Sequence, residues 1–187
     1  MAFKQPITTE AAASSVFNIV EPGEYKIFME RYEERQKSTD GTITVNADGI
    51  ISSYDSDGPP YDQVLCYFRG AGGIGVVHGF FVNYPNNPKA QEVGLSMLKN
   101  YGYSCGLPVI NSMDELKNLW FSAYLVKETY NDVERNKIRS FLPPETPGQK
   151  VPIVIDQSGK NVGYKRALEI AKTSPVSHTQ PDDDIPF

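Results

Sequence analysis

After the turn signal Pro22–Gly23, Tyr25, Ile27 and Met29 occupy one set of alternate positions, with Lys26, Phe28 and Glu30 on the other. Period-two alternation predicts a strand, running to about Arg35. Ser38–Gly41 is a turn, Thr42–Val45 a short β-branched strand, and Asp48–Gly49 a second turn before Ile50–Tyr54. A loop of Asp, Ser, Gly and Pro, Asp55–Pro60, leads to strands at Tyr61–Arg69 and Ile74–Val82, joined by the hairpin Gly70–Gly73. Alternation then stops. Asn86 or Asn87 before Pro88 suits a helix start, and Gly102 suits its end. Ser112 with Glu115 three residues later has capping-box spacing and predicts a second short helix over Ser112–Trp120. Strands return at Phe121–Tyr130 and about Arg135–Leu142, turning at Asn131–Asp132.

Several strands, a helical insertion and two further strands predict a mainly β fold. That order suits an oligonucleotide-binding (OB-fold-like) five-stranded barrel, whose helix lies between the third and fourth strands. It also suits other small β-barrels and α+β sheets. The expected organisation is a mobile arm over 1–20, the OB-like domain over 21–144, a small appendage over 145–172, and a disordered acidic tail over 173–187. In the appendage, Val151–Asp156 is a short β-type run. Gly163–Lys172 suits a small helix anchored by Leu168 and Ile170, packed on the barrel or on a second subunit. From Thr173 onward Ser, Pro, Thr, Gln and Asp offer too little apolar surface to order the chain.

Composition changes this picture in two ways. Apolar residues at 40% and charged residues at 22% of 187 can fill a core. The net charge of −5 speaks against a general nucleic-acid-binding surface. Removing 175–187 takes away three Asp and no cation, leaving about −2, so any DNA site must be a local basic stripe. No signal-peptide core and no apolar run of membrane length occur. Cys66 and Cys105 read as two reduced thiols of a cytoplasmic protein.

The final residues, Asp182, Asp183, Asp184, Ile185, Pro186 and Phe187, are the most specific motif. A terminal aromatic can enter a pocket, its α-carboxylate can pair with Arg, and the aspartates can steer toward a basic rim. Pro186 lowers the ordering cost. This tip resembles that of bacterial and phage single-stranded DNA-binding proteins. The resemblance implies recruitment of DNA-processing partners: helicase, nuclease, polymerase or recombination factors. It also implies a role in DNA replication, recombination or repair in a bacterial or phage-infected cell. Pro22–Gly23–Glu24–Tyr25, the later helices and Asn136–Pro143 are in addition similar to a poorly characterised family of phage-encoded single-stranded DNA-binding proteins, over roughly 20–145. That similarity implies an oligonucleotide-binding barrel and identifies no contact residues.

On the last strand, Arg135, Lys137, Arg139 and Phe141 share a face if Ile138 and Leu142 point inward. Cations along phosphates with rings under bases is the pairing that single-strand binders use. Tyr67 and Arg69 face outward if Phe68 packs inward with Val64 and Cys66. Lys26, Phe28 and Tyr32 form a third candidate set, weakened by the nearby glutamates. Gly70–Gly75 lacks the ending of a phosphate loop. His78, in an apolar strand, reads as a satisfied core or edge residue. No nucleophile–base pair or metal-ligand cluster stands out, so the expectation is a non-enzymatic binder without metal or cofactor, able to form a homo-oligomer. The rivals are an interaction adaptor that imitates a host protein's tail, and a nuclease or nucleotide-processing enzyme, which the lack of an acidic metal cluster disfavours.

Overall fold

The computed structural model describes residues 17–174. The chain runs β1 (Gly23–Lys37), β2 (Thr42–Ala47), β3 (Ile50–Asp55), β4 (Tyr61–Gly70), β5 (Gly75–Asn83), α1 (Pro88–Ser104), β6 (Trp120–Tyr130), β7 (Val133–Phe141) and α2 (Tyr164–Thr173). The protein is mainly β, and its seven strands form one antiparallel sheet. The expected five-stranded closed barrel is not what the hydrogen bonds draw. The order is β3-β2-β1-β4-β5, with β6 on β1 and β7 on β6, and the sheet stays open between β5 and β7.

β1 organises the sheet because it is long enough to serve three neighbours. Gly23–Phe28 pairs with β6, Glu33–Lys37 with β2, and almost all of Ile27–Lys37 with β4. Turn chemistry fixes the hairpins. Asp48 (φ 51°) and Gly49 (φ 81°) turn β2 into β3, and Asn131 (φ 49°) and Asp132 (φ 61°) turn β6 into β7. Two consecutive left-handed residues match the twist of the flanking strands.

One face of the sheet carries the core. Ile27 and Met29 of β1, Cys66 and Phe68 of β4, Val76 and Phe80 of β5, Phe121 and Leu125 of β6, and Ile138 of β7 are all buried there. α1 closes this core along β5. Asn87 caps it by accepting from the Ala90 N–H at 3.1 Å. Gly94 lets the helix approach so closely that a Cβ would run into the Phe81 backbone. Gly102 does not end the helix. It lies within the last turn, where a Cβ would meet Ile110 Cδ1 at 2.5 Å, and Gly106 (φ 78°) supplies the left-handed exit. The second expected helix shrinks to a single 3-10 turn, Met113–Leu116. Glu115 bonds back to the Asn111 N–H rather than completing a box with Ser112, whose side chain makes no cap bond. Cys66 and Cys105 are buried and unbridged.

His78 packs its ring against Phe80 at 4.7 Å and Phe141 at 5.9 Å. Burial, helped by the nearby Lys137 charge, lowers its pKa to about 4. The unfolded chain takes up this proton near pH 6.5, whereas the folded protein resists it until about pH 4. Stability is therefore complete above the unfolded value and is lost as pH falls between the two. The loss reaches about 3 kcal/mol at most. Urea unfolding across pH 4–7 checks this, and His78→Gln should flatten the slope.

The C-terminal segment lies on the opposite face of the sheet. Val151, Ala167, Tyr164, Leu168, Ile153 and Val154 pack over Trp120 and Phe28. The Val151–Asp156 run forms only isolated bridges, Leu119–Pro152 and Ile155–Asn161. Residues 17–20, expected at the end of an arm, line the gap between β5 and β7. Asn18 makes a parallel bridge to Ile74, and a Cβ on Gly75 would clash with the Phe17 ring at its Cδ1. Asn136 of β7 ties the gap together: it donates to Asn18 O (2.8 Å) and Gly75 O (3.1 Å) and accepts from Val20 N–H (3.0 Å).

Candidate nucleic-acid interface

The core face is covered by α1 along β5, so strand parity decides which candidates lie on the opposite, outer face. On β4, Val64, Cys66 and Phe68 point inward, which turns Tyr67 and Arg69 outward as expected. Arg31 is the cross-strand partner of Tyr67 and lays its guanidinium 3.5 Å from the Tyr67 ring centroid. Arg69 lies 4.7 Å over the Phe17 ring.

A carboxylate threads this group. Glu33 accepts from Arg31 (2.9 Å), Arg35 (2.9 Å) and the Tyr67 hydroxyl (2.9 Å). Burial works against its charge, but the three donors outweigh burial and hold its carboxyl below the usual range. Arg69 pairs with Glu30 at 3.0 Å. The cations are thus pre-positioned, with part of their charge already met.

On β7, Arg135, Lys137 and Arg139 are exposed, as expected. Phe141 is not with them; it is 8% exposed and belongs to the core. The reason is a β-bulge: Leu125 pairs with Ile138 and Tyr124 with Ser140, so Arg139 is the extra residue and the parity flips beyond it. Ile138 and Phe141 therefore both point inward. Arg135 and Lys137 share one carboxylate, Glu128, each at 2.5 Å. The bond from Lys137, then that from Arg135, keeps the Glu128 carboxyl below its ordinary value. Arg135 also lies 4.5 Å over the Tyr130 ring. Among the described residues Arg139 has no ion-pair partner.

The third set comes apart. β1 is bulged at Glu30, between the pairs Met29–Phe68 and Arg31–Tyr67. Tyr32 beyond the bulge turns to the core side, where its hydroxyl bonds Asp114 at 3.1 Å. Burial, then that bond, raises its pKa to about 12. Lys26 and Phe28 keep the outer face but lie under the C-terminal segment. Lys26 pairs with Glu145 at 2.9 Å and sits 4.2 Å over the Tyr164 ring, while Phe28 meets the Trp120 edge at 4.9 Å. Trp120 Nε1 is buried with no hydrogen-bond partner among the described residues, a state that costs about 1–3 kcal/mol.

Sequence reasoning did not select Phe17, Arg31 or Arg35. The structure brings Phe17 to Arg69 and Asn18 to Asn136, so residues 17–18 lie between the β4 stripe and the β7 stripe. The register shift at Glu30 leaves no local signal that would have placed Arg31 on the Tyr67 ring of the neighbouring strand. Among the described residues no cluster of three or more His, Cys, Asp or Glu could hold a metal ion, and no helix is long and apolar enough to cross a membrane. Asp182–Phe187 lies outside the described residues. The chain matches no protein-family model and no curated protein.

Proposed function

We propose that the chain binds single-stranded DNA without sequence preference, on the outer face of β1, β4 and β7, and that it recruits DNA-processing proteins through Asp182–Phe187. The observation that carries the DNA reading is the pair of cation–π contacts, Arg31 over Tyr67 and Arg69 over Phe17, on the solvent side of an antiparallel sheet. A guanidinium held over a ring is a pre-positioned cation for phosphate, beside an aromatic on which a base can stack. Binding without catalysis needs nothing more than this face.

The strand pairing supports an oligonucleotide-binding fold for the same body. Taking β2 and β3 as an inserted hairpin leaves β1, β4, β5, β6 and β7. Their pairings, β1–β4, β4–β5, β1–β6 and β6–β7, with α1 between β5 and β6, follow that barrel's order. The β5–β7 side is joined by Asn136 and residues 17–20 in place of a ladder.

A protein-binding adaptor is the second reading, favoured by Glu30, Glu33 and Glu128, which already pair with the cations of both stripes. Salt dependence separates the two. Replacing Arg135, Lys137 and Arg139 with Ala should lower the log–log salt slope of oligo(dT) binding by about 0.7 for each phosphate that is no longer neutralised. An unchanged slope and affinity would place the site off β7, and no binding by the intact protein at low salt would leave the adaptor.

The tip is tested by Phe187→Ala in the full chain. A buried aromatic anchor commonly contributes about 2 kcal/mol or more to a small interface. Recovery of partners from bacterial lysate should be lost. DNA affinity of the variant should stay equal, and deletion of Asp182–Phe187 should leave it equal or slightly higher at low salt, because the tip brings only negative charge to phosphate. Equal recovery by both forms would reduce the tip to a solubilising tail.

A further inference from the structure

The exposed stripe on β4 does not end at Arg69. Its cross-strand partner on β1 is Phe28, which shares the outer face. Beyond Phe28 the same face continues through Lys26, and through Trp120 and Ser122 on β6, since Ile27 and Phe121 between them point into the core. One uninterrupted face therefore carries Tyr67, Arg69, Phe28, Lys26 and Trp120. Rings and cations run its whole length, but half of it lies under the C-terminal segment.

What covers that half has the chemistry of a nucleotide. Glu145 gives the Lys26 ammonium an anionic oxygen at 2.9 Å, as a phosphate would. Tyr164 gives it an aromatic face 4.2 Å away, as a base could, and meets Trp120 edge-on at 6.2 Å, which leaves Trp120 without a stacked partner in Tyr164. The fit is incomplete. Trp120 Nε1 is buried without a partner among the described residues, and a cleft lined by Lys26, Ser122, Trp120, Glu145, Gln149 and Tyr164 remains under the cover. The cover is held by a small apolar cluster, with Ile153, Val154, Tyr164 and Leu168 partly buried in it, and by the close approach of the Gln149 backbone to Gly106. Only Val151 and Ala167 among its apolar side chains are fully buried, and its backbone is tied to β6 and the residues just before it by the Leu119–Pro152 bridge, through Trp120 N–H to Val151 O and Ile153 N–H to Asn118 O, both 2.8 Å.

We infer that residues 145–174 are a displaceable cover, and that Lys26, Phe28 and Trp120 beneath it are a second stretch of the strand-binding face. This rests on the proposed single-strand binding. A short strand occupies the open half alone. A longer strand reaches the covered half and must displace Glu145 and Tyr164, so its affinity is reduced by the fraction of molecules that are open. Loosening the cover removes that reduction for long strands only.

The test uses the full chain and its double variant Tyr164→Ala/Leu168→Ala, with oligo(dT) of about 5 and about 15 nucleotides. Trp120 is the only tryptophan, so its emission reports on this face directly. In the intact protein the longer strand should change Trp120 emission and speed tryptic cleavage within 145–174, at Lys160 and Lys165, which are exposed but held in the packed segment, while the shorter strand does neither. The double variant should bind the longer strand about tenfold more tightly and the shorter one as before. If the longer strand binds with Trp120 emission and tryptic pattern unchanged, the cover is a fixed part of the fold and the strand-binding proposal stands without it. If neither strand binds either protein, both proposals fail. Should the variant not fold, emission and proteolysis of the intact chain still decide.

Discussion

Replacing Tyr67 and Arg69 together with alanine is expected to weaken oligo(dT) binding by about 100-fold, with little change in stability. Base–aromatic stacking contributes about 1–3 kcal/mol per base, and Arg69 adds a phosphate contact. Both side chains are on the outer face, outside the core cluster, so truncation leaves no cavity. Tyr67 also positions Arg31, which rests on its ring, so one truncation disturbs both side chains. Tyr67→Phe separates the causes. It keeps the ring and the Arg31 stack but loses the hydroxyl bond to Glu33, and its affinity should stay near that of the parent. Fluorescence anisotropy with labelled oligo(dT) reads both variants. A Tyr67→Ala/Arg69→Ala protein that binds as tightly as the parent would remove β4 from the interface.

Asn136→Ala should be the most damaging single polar substitution, costing about 3 kcal/mol. The side chain is 3% exposed and makes three bonds across the open side of the sheet. Each bond contributes about 1 kcal/mol net, and the alanine leaves Val20 N–H, Asn18 O and Gly75 O to find new partners. A urea midpoint shift at constant m-value measures the loss. Hydrogen exchange should show it first at residues 18–20 and at β5, because these are the groups that Asn136 joins. An unchanged midpoint would mean that the apolar core alone holds β7 against β5. A lesser consequence concerns binding: Phe17 would lose its anchorage beside Arg69, and strand affinity should fall with it.

The strands were legible because alternation is a local property. Ile27 and Met29, or Cys66 and Phe68, announce an inward face within a few residues, and Asp48–Gly49 and Asn131–Asp132 announce hairpins by their backbone preferences alone. Parity over a whole strand was not legible. The bulges at Glu30 and Arg139 are settled by the register of partner strands far away in sequence, and each one reassigned a ring, Tyr32 and Phe141, to the core. The covering of Lys26 and Phe28 was hidden for a similar reason. It depends on Glu145 and Tyr164, more than a hundred residues downstream. The two outward stripes survived because their inward neighbours, Phe68 and Ile138, are unambiguous core residues. The sharing of Glu128 by Arg135 and Lys137 is a cross-hairpin interaction that a stripe of cations in sequence does not disclose.

The proposed site, a sheet face of rings and guanidinium groups, is a platform for unstacked bases, which a duplex keeps turned inward. The most direct measurement is anisotropy with one labelled oligo(dT), competed by unlabelled single strands and by a duplex of equal length at low and at moderate salt. The account predicts displacement by single strands irrespective of sequence, much weaker displacement by duplex, and affinities that fall as salt rises. Equal competition by duplex and single strands, or no binding of the labelled strand at low salt, would contradict it.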